Sequence, residues 1–323
     1  MLAISRTIPF RKFQSAIGHS TYRLNTIVVG LELVALGHDK PKELNIKWRK
    51  PAEGQPARSV ANQAKTFALL SAMVYGTDLF DTFLRDFGAE DWLGFKQQTI
   101  FISGKHGSGQ GARDFSIRER AKAIVDDLGP KSIEQADVEL VLPTMLALLD
   151  LMAKWRNNIV HGSHGKDRQI DEETRKQLLT AAEYLKEKYS NVEISRTLKS
   201  FDQGAHPTRK DVTVLLASLQ NLSRLLDVAA IRRVAPDVSA VEAIADQLLC
   251  GRWKPTESNR RGWAEFCEIW SRKPTDRSNG ITKALAQLAI TATSEPVSPH
   301  LSEGYVNELA SLAREDVARR LGL

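Results

Sequence analysis

The 323-residue chain has two cysteines, Cys250 and Cys267, and seven scattered histidines. Neither set is spaced like zinc ligands, so no metal site and no cofactor is expected, and thiols this sparse fit a reducing cytoplasm better than a disulfide framework. No uninterrupted apolar run is long enough to span a bilayer. The run from Leu140 to Ala153 is broken by Pro143, Thr144 and Asp150 and flanked by Glu139 and Lys154, which reads as buried core and not as a membrane segment. Acidic residues are missing before Glu32, while Arg6, Arg11, Lys12 and Arg23 are present. That end faintly resembles an organellar transit peptide but lacks the apolar core of a secretory signal, and a basic surface arm is the expected outcome. No internal repeat or low-complexity segment interrupts the chain.

Of the residues present, 42% are hydrophobic, enough to bury a sizeable core in one large or two modest domains. The net charge of +6 favours a polyanionic partner such as RNA, although 39 acidic residues keep the composition short of an extreme nucleic-acid binder.

Helical periodicity runs from end to end. Leu24, Ile27, Val28, Leu31, Val34 and Ala35 share a helical repeat. Leu44, Ile46 and Trp48 then alternate as a short strand would, and Pro51 to Pro56 reads as a loop. From Arg58 a helix carrying Val60, Ala64, Phe67, Leu70 and Val74 runs on to Phe80, Phe83 and Leu84, with a bend expected at Gly76 and an aromatic stripe expected in the core. The Gly104 to Gly111 segment lacks the spacing of a P-loop or a dinucleotide fold. It reads as a flexible loop that could contact RNA through Lys105, His106 and Arg113.

Several start and stop signals are explicit. Ser116 with Glu119 has capping-box spacing and opens a helix ending at Gly129-Pro130, and Ser132 with Gln135 repeats the device. Pro143 should kink or divide the next helix. Asp171 is a good N-cap for a helix with Leu178, Leu179, Ala182, Leu185 and Tyr189, and from Thr208 another helix turns Val212, Leu215, Leu219, Leu222 and Leu226 inward. Ser239 with Glu242 restarts the pattern beyond a soft boundary at Pro236. Between Arg252 and Lys283, basic residues are interleaved with Trp253, Trp263 and Trp270, a combination that could stack on single-stranded RNA. Trp263, Phe266 and Trp270 share one helical face, however, and read first as core.

The most informative stretch is Arg156-Asn157-Asn158-Ile159-Val160-His161, followed by Gly162, at the end of a long apolar helix. Residues five apart are rotated by about 140° on a straight helix, so Arg156 and His161 can share a site only if the helix unwinds or a second chain completes it. RNA carries its own nucleophile in the 2′-hydroxyl. A histidine able to move protons near neutrality and an arginine able to hold a phosphorane are therefore a workable set, with Asn157 orienting either. Lys154 and His164 are close enough in sequence to assist. The alternative reading is a solvated last turn with His161 on the helix's terminal carbonyls.

This stretch resembles the R-N-x-x-x-H signature of the HEPN superfamily, helical domains of ribonuclease toxins, abortive-infection proteins and RNA-targeting defence effectors. Arg156 and His161 fall on its two defining positions and Asn157 on the polar position between them. The resemblance implies an all-α, HEPN-like helical bundle over 57–235, with an N-terminal extension over 1–56 and a further helical region over 236–323. It implies catalysis by Arg156, Asn157 and His161, RNA as substrate, a homodimer, and an antitoxin or activating defence partner. It also implies a metal-independent endoribonuclease located in the cytoplasm, or else a catalytically silent scaffold for RNA or protein. In the toxin branch controlled by nucleotide modification, a tyrosine stands two residues after the histidine. Ser163 stands there in this chain, which counts against that form of control.

Overall fold

The computed structural model describes residues 1–96, 101, 105–106, 113–129, 132–134, 137–162, 169–189 and 191–323. It is all-α apart from short strand ladders, with thirteen α-helices among the described residues. α1 (Ile8–Ala35) starts at Thr7, whose hydroxyl accepts the Phe10 N–H, and Pro9 occupies its first turn, where no donor is lost. α2 (Gln55–Gly88) returns beside it. Phe13 meets Phe80 and Phe83 near one end of the pair and Glu32 meets Lys65 near the other, so the two helices are antiparallel.

α2 is continuous through Gly76. A Cβ there would stand 2.3 Å from the side chain of Leu216, so this glycine allows a close helix crossing and does not mark a bend. That crossing sets which face of α2 is inside. Ala57, Ala61, Leu69, Met73, Phe80 and Phe83 are buried, whereas Val60 and Phe67 of the expected helix pattern are exposed, Phe67 by 73%. A stripe of α1 made by Tyr22, Val29 and Leu33, continued by the capping Leu36, is exposed too.

α3 (Ile117–Leu128) begins with the expected capping box, Ser116 and Glu119 each bonding the other's backbone N–H. The second expected box lies partly outside the described residues at Gln135, while the Ser132 hydroxyl donates to the Leu128 carbonyl. A π-helical turn at Asp137–Val141 leads into α4 (Leu142–His161), with Pro143 in its first turn. Pro143 thus divides the pattern, and the motif rides on the second segment.

Asp171 caps α5 (Glu172–Thr180) by accepting the Thr174 N–H, and a break at Ala181 separates it from α6 (Ala182–Lys188). Leu178, Leu185 and Tyr189 are buried and Leu179 is exposed. α7 (Ile194–Asp202) precedes α8 (Arg209–Val234), which opens on a reciprocal Thr208 and Asp211 box and buries all five residues expected to face inward.

Five further helices follow, α9 (Val238–Trp253), α10 (Arg260–Ser271), α11 (Pro274–Gln287), α12 (Tyr305–Ser311) and α13 (Arg314–Leu321). The cap of α9 is Asp237, which accepts the Ala240 N–H, so the expected box at Ser239 is displaced by a carboxylate two residues earlier. The apolar interior divides near Pro236. One cluster is built from α1 to α8 as far as Ala230, and the other from Ile231 onward together with Ile4.

Ile4 belongs there because β1 (Leu2–Ile4) pairs antiparallel with β4 (Ile290–Ala292), Leu2 opposite Ala292. Ala3 and Ile4 are fully buried, so the basic N-terminal segment is a strand and a docked helix and not a free surface arm. The expected strand at Leu44 to Trp48 does not form. Its backbone has no ladder partner, and Leu44 and Ile46 stand in solvent. By length and composition α2 and α8 are apolar enough to cross a membrane. The relevant stretch of α8 is 67% buried, as befits the central helix of the first core, and that of α2 is 39% buried.

Candidate functional site

α4 places the motif. Its first four turns bury Met145, Leu148, Leu149, Met152 and Trp155, and polar contacts fix its rotation. The Trp155 indole N–H donates to the Ala205 carbonyl at 3.1 Å while its ring stands edge-on to Phe201. Asp150, buried below the motif, meets Arg118 of α3 at 3.2 Å and accepts from the Thr174 hydroxyl of α5. Burial pushes its carboxyl up from the usual range, opposed by Arg118 and Lys154. Asp171 shares Arg118 at 2.7 Å and is held down at about 2, chiefly by the Thr174 backbone N–H. Three helices are thereby clamped just before the motif begins.

Arg156 lies half-buried. One terminal nitrogen donates to Asp78 of α2 at 3.1 Å and the other to the Asn157 side-chain oxygen at 3.2 Å, while its Nε is buried without a hydrogen-bond partner. The side-chain oxygen of Asn158 is likewise buried and unsatisfied. His161 is the last helical residue and is exposed. Gly162 has φ +74° with an extended ψ of 157°, a glycine region distinct from the left-handed conformation that commonly closes a helix.

The α-helix persists to His161. Arg156 therefore stays about 140° around the axis from His161, and one chain brings the arginine and Asn157 together without bringing the histidine onto the arginine's side. The face His161 does share, at spacings of three, four and seven residues, carries Asn158, Asn157 and Lys154. Within one chain the motif is a basic and amide-bearing helix end, with the arginine oriented by Asp78.

The other expected contacts scatter. Lys105 and His106 pair with Asp114 and Arg113 in a two-residue ladder, β2 (Lys105–His106) with β3 (Arg113–Asp114). His164 and most of the Gly104 to Gly111 loop lie outside the described residues. Asp78 and Asn158 were not singled out from sequence. Asn158 could have been found from its helical spacing to His161, whereas no local signal links Asp78 to an arginine 78 positions away. Among the described residues no group of three or more His, Cys, Asp or Glu side chains is placed to hold a metal ion.

Compared with known family models, with curated proteins and with solved structures, the chain matches none.

The tryptophan-rich stretch is core at Trp253 and Trp270, with Trp263 half-buried at its edge. Trp253 is fully buried and donates to Glu265, Phe266 and Trp270 close around it, and Arg252 is spent on a two-pronged bond to Glu265.

Proposed function

We propose that the protein is a metal-independent endoribonuclease acting through the 2′-hydroxyl of RNA, a toxin or anti-phage effector of the HEPN kind. The observation that carries this reading is the end of α4. A clamped helix carries an exposed imidazole, a carboxylate-oriented guanidinium and two amides in its last two turns, the guanidinium and the imidazole on different sides. In the reaction His161 takes the proton of the 2′-hydroxyl, whose oxygen attacks the adjacent phosphorus, and Arg156 neutralises the phosphorane. The 5′-oxygen leaves with a proton from an imidazolium, giving a 2′,3′-cyclic phosphate and a 5′-hydroxyl. Because Arg156 and His161 point to different sides of α4, the working site is composed of two chains, and the active species is a homodimer joined beside the motif helix.

A second reading has its own support. The Asp78 ion pair gives Arg156 a structural use, as a catalytically silent scaffold for RNA or protein would require. Incubation of purified protein with total RNA in chelator separates the two, since cleavage lost in His161→Ala is expected for the nuclease and intact RNA for the scaffold. Light scattering tests the dimer, and a monomer active across dilution would contradict the two-chain site.

A further inference from the structure

A cleft of about 880 Å³ lies where the two apolar cores meet, and none of the motif residues lines it. Its walls come from the start of α1, from α6 and α8, from the turn ahead of α4 and from the segment after β4, so segments distant in sequence converge on it. Among the described residues, four cations on its surface form no ion pair, although Arg6 lies near enough to the Asp227 carboxylate to act on it. Arg6 donates to the neutral Gln14 side chain and Arg11 to the Ala286 carbonyl, while Lys188 and Arg224 make no hydrogen bond or ion pair among the described residues. The fifth cation, Arg232, is already neutralised by Glu134 at 2.9 Å. A different chemistry stands beside them. Tyr184, half-buried, has its phenol pushed up first by burial and then by the nearby Asp137 carboxylate, and Leu225 and Phe10 add apolar wall.

A site for a plain anion would have no use for a carboxylate or a ring. We propose that the cleft binds a nucleoside polyphosphate, with its phosphates on Arg6, Arg11, Lys188 and Arg224, its ribose hydroxyls donating to Asp137 and its base against Tyr184 and Leu225. Each part of such a ligand meets the chemistry that recognises it: guanidinium and ammonium donors for phosphate, a carboxylate acceptor for hydroxyls, an aromatic ring for the base. The volume agrees, since small-ligand sites occupy roughly 300–1,000 Å³ and form preferentially at the junction of packed units. Of the four acids lining the cleft, Glu134 is spent on Arg232 and Asp137 is assigned to the ribose, and the other two oppose the phosphates only weakly. Asp227 is tied to Thr7 by two donors, and Glu295 lies exposed at the rim.

Titration calorimetry of the full chain with ATP, GTP, CTP and UTP tests this, with adenosine, inorganic tripolyphosphate and a short single-stranded RNA as the other arms. At least one triphosphate is expected to bind one per chain and about tenfold or more tighter than adenosine or tripolyphosphate. The Arg224→Ala, Lys188→Ala double variant should weaken it by about tenfold or more with an unchanged circular dichroism spectrum, and Arg224→Lys with Lys188→Arg should restore it. The proposal is overturned if no triphosphate binds at about 1 mM, if tripolyphosphate binds as well as every nucleotide, or if the double variant binds undiminished. RNA binding that depends on Arg224 and Lys188, with no triphosphate binding, overturns it as well. These readouts involve no RNA cleavage and stand or fall apart from the nuclease.

Discussion

The end of α4 and the tryptophan-rich stretch of α9 and α10 contain similar raw material, cations beside rings or polar groups, and the fold uses them in opposite ways. In α9 and α10 Trp253 and Trp270 are inside, Trp263 is half-buried, and the arginine nearest the rings is consumed by the fold. Trp253 is at 0% exposure, Arg252 grips Glu265, and Arg277 of the neighbouring α11 donates to the carbonyls of Trp270, Ala310 and Leu312. At the end of α4 the apolar part stops at Trp155, and beyond it Arg156 and Asn158 keep buried polar atoms unsatisfied. Buried polar groups normally find partners, so unsatisfied ones beside an exposed histidine fit a surface made to receive something. Composition alone does not distinguish the two regions. Nor do unsatisfied groups alone, since the Trp270 indole N–H is also buried without a partner; what separates them is that Trp253 and Trp270 are shut inside the second core, whereas the end of α4 carries an exposed histidine at the surface.

That contrast is sharpest in a pair of substitutions with opposite expected signatures. His161→Ala should lower RNA cleavage by about 10²- to 10⁴-fold, the usual worth of a positioned proton-transfer group, with an unchanged melting temperature. Trp253→Ala should instead cost about 3–5 kcal/mol of stability through the cavity it leaves, measured by denaturant unfolding. A destabilised His161→Ala protein would break the comparison.

Where the two cores meet, Asp227 extends the contrast to a buried acid. Burial raises its pKa to about 7, against the opposing bonds from Thr7. Its folded pKa exceeds the value of about 3.9 in an unfolded chain, so the folded state holds the proton more tightly. Stability from this group is therefore full below about pH 4, declines as pH rises, and is lost by about pH 7, a change of up to about 4 kcal/mol. Asp227→Asn should flatten that slope in unfolding measurements across pH 4 to 7.

Asp78 is the gentlest test. The Asp78–Arg156 pair is partly exposed, so Asp78→Ala should shift stability by less than about 1 kcal/mol. It should slow cleavage by only a few-fold, well short of Arg156→Ala, because the guanidinium remains but loses its orientation. A rate loss as large as that of Arg156→Ala would make Asp78 part of the reaction itself.

Local chemistry was readable and distant pairing was not. The box at Ser116 and Glu119, the cap at Asp171, the inward row from Val212 to Leu226 and the helix break at Pro143 each depend on residues within a few positions of one another. The failures are non-local. Whether Leu44 to Trp48 becomes a strand depends on a partner edge that nothing supplies, while Leu2 to Ile4 acquires one at Ile290 to Ala292, at the far end of the chain. Phe67 faces solvent because Leu216, on another helix, presses on Gly76 and sets the rotation of α2. At the candidate site the motif's helix and its position were legible, since periodicity and Gly162 mark them. The Asp78 contact and the clamp of Arg118, Asp150 and Asp171 arise only when α2, α3 and α5 pack against α4.

The most direct test of the central claim is the chemistry of the RNA ends left by purified wild-type protein in EDTA, with His161→Ala in parallel. The nuclease reading predicts 2′,3′-cyclic phosphate and 5′-hydroxyl ends from the wild type, none from the variant, and no cleavage where the attacking nucleotide is replaced by its deoxy form. Cleavage that needs magnesium, leaves 5′-phosphates or persists in His161→Ala would contradict it.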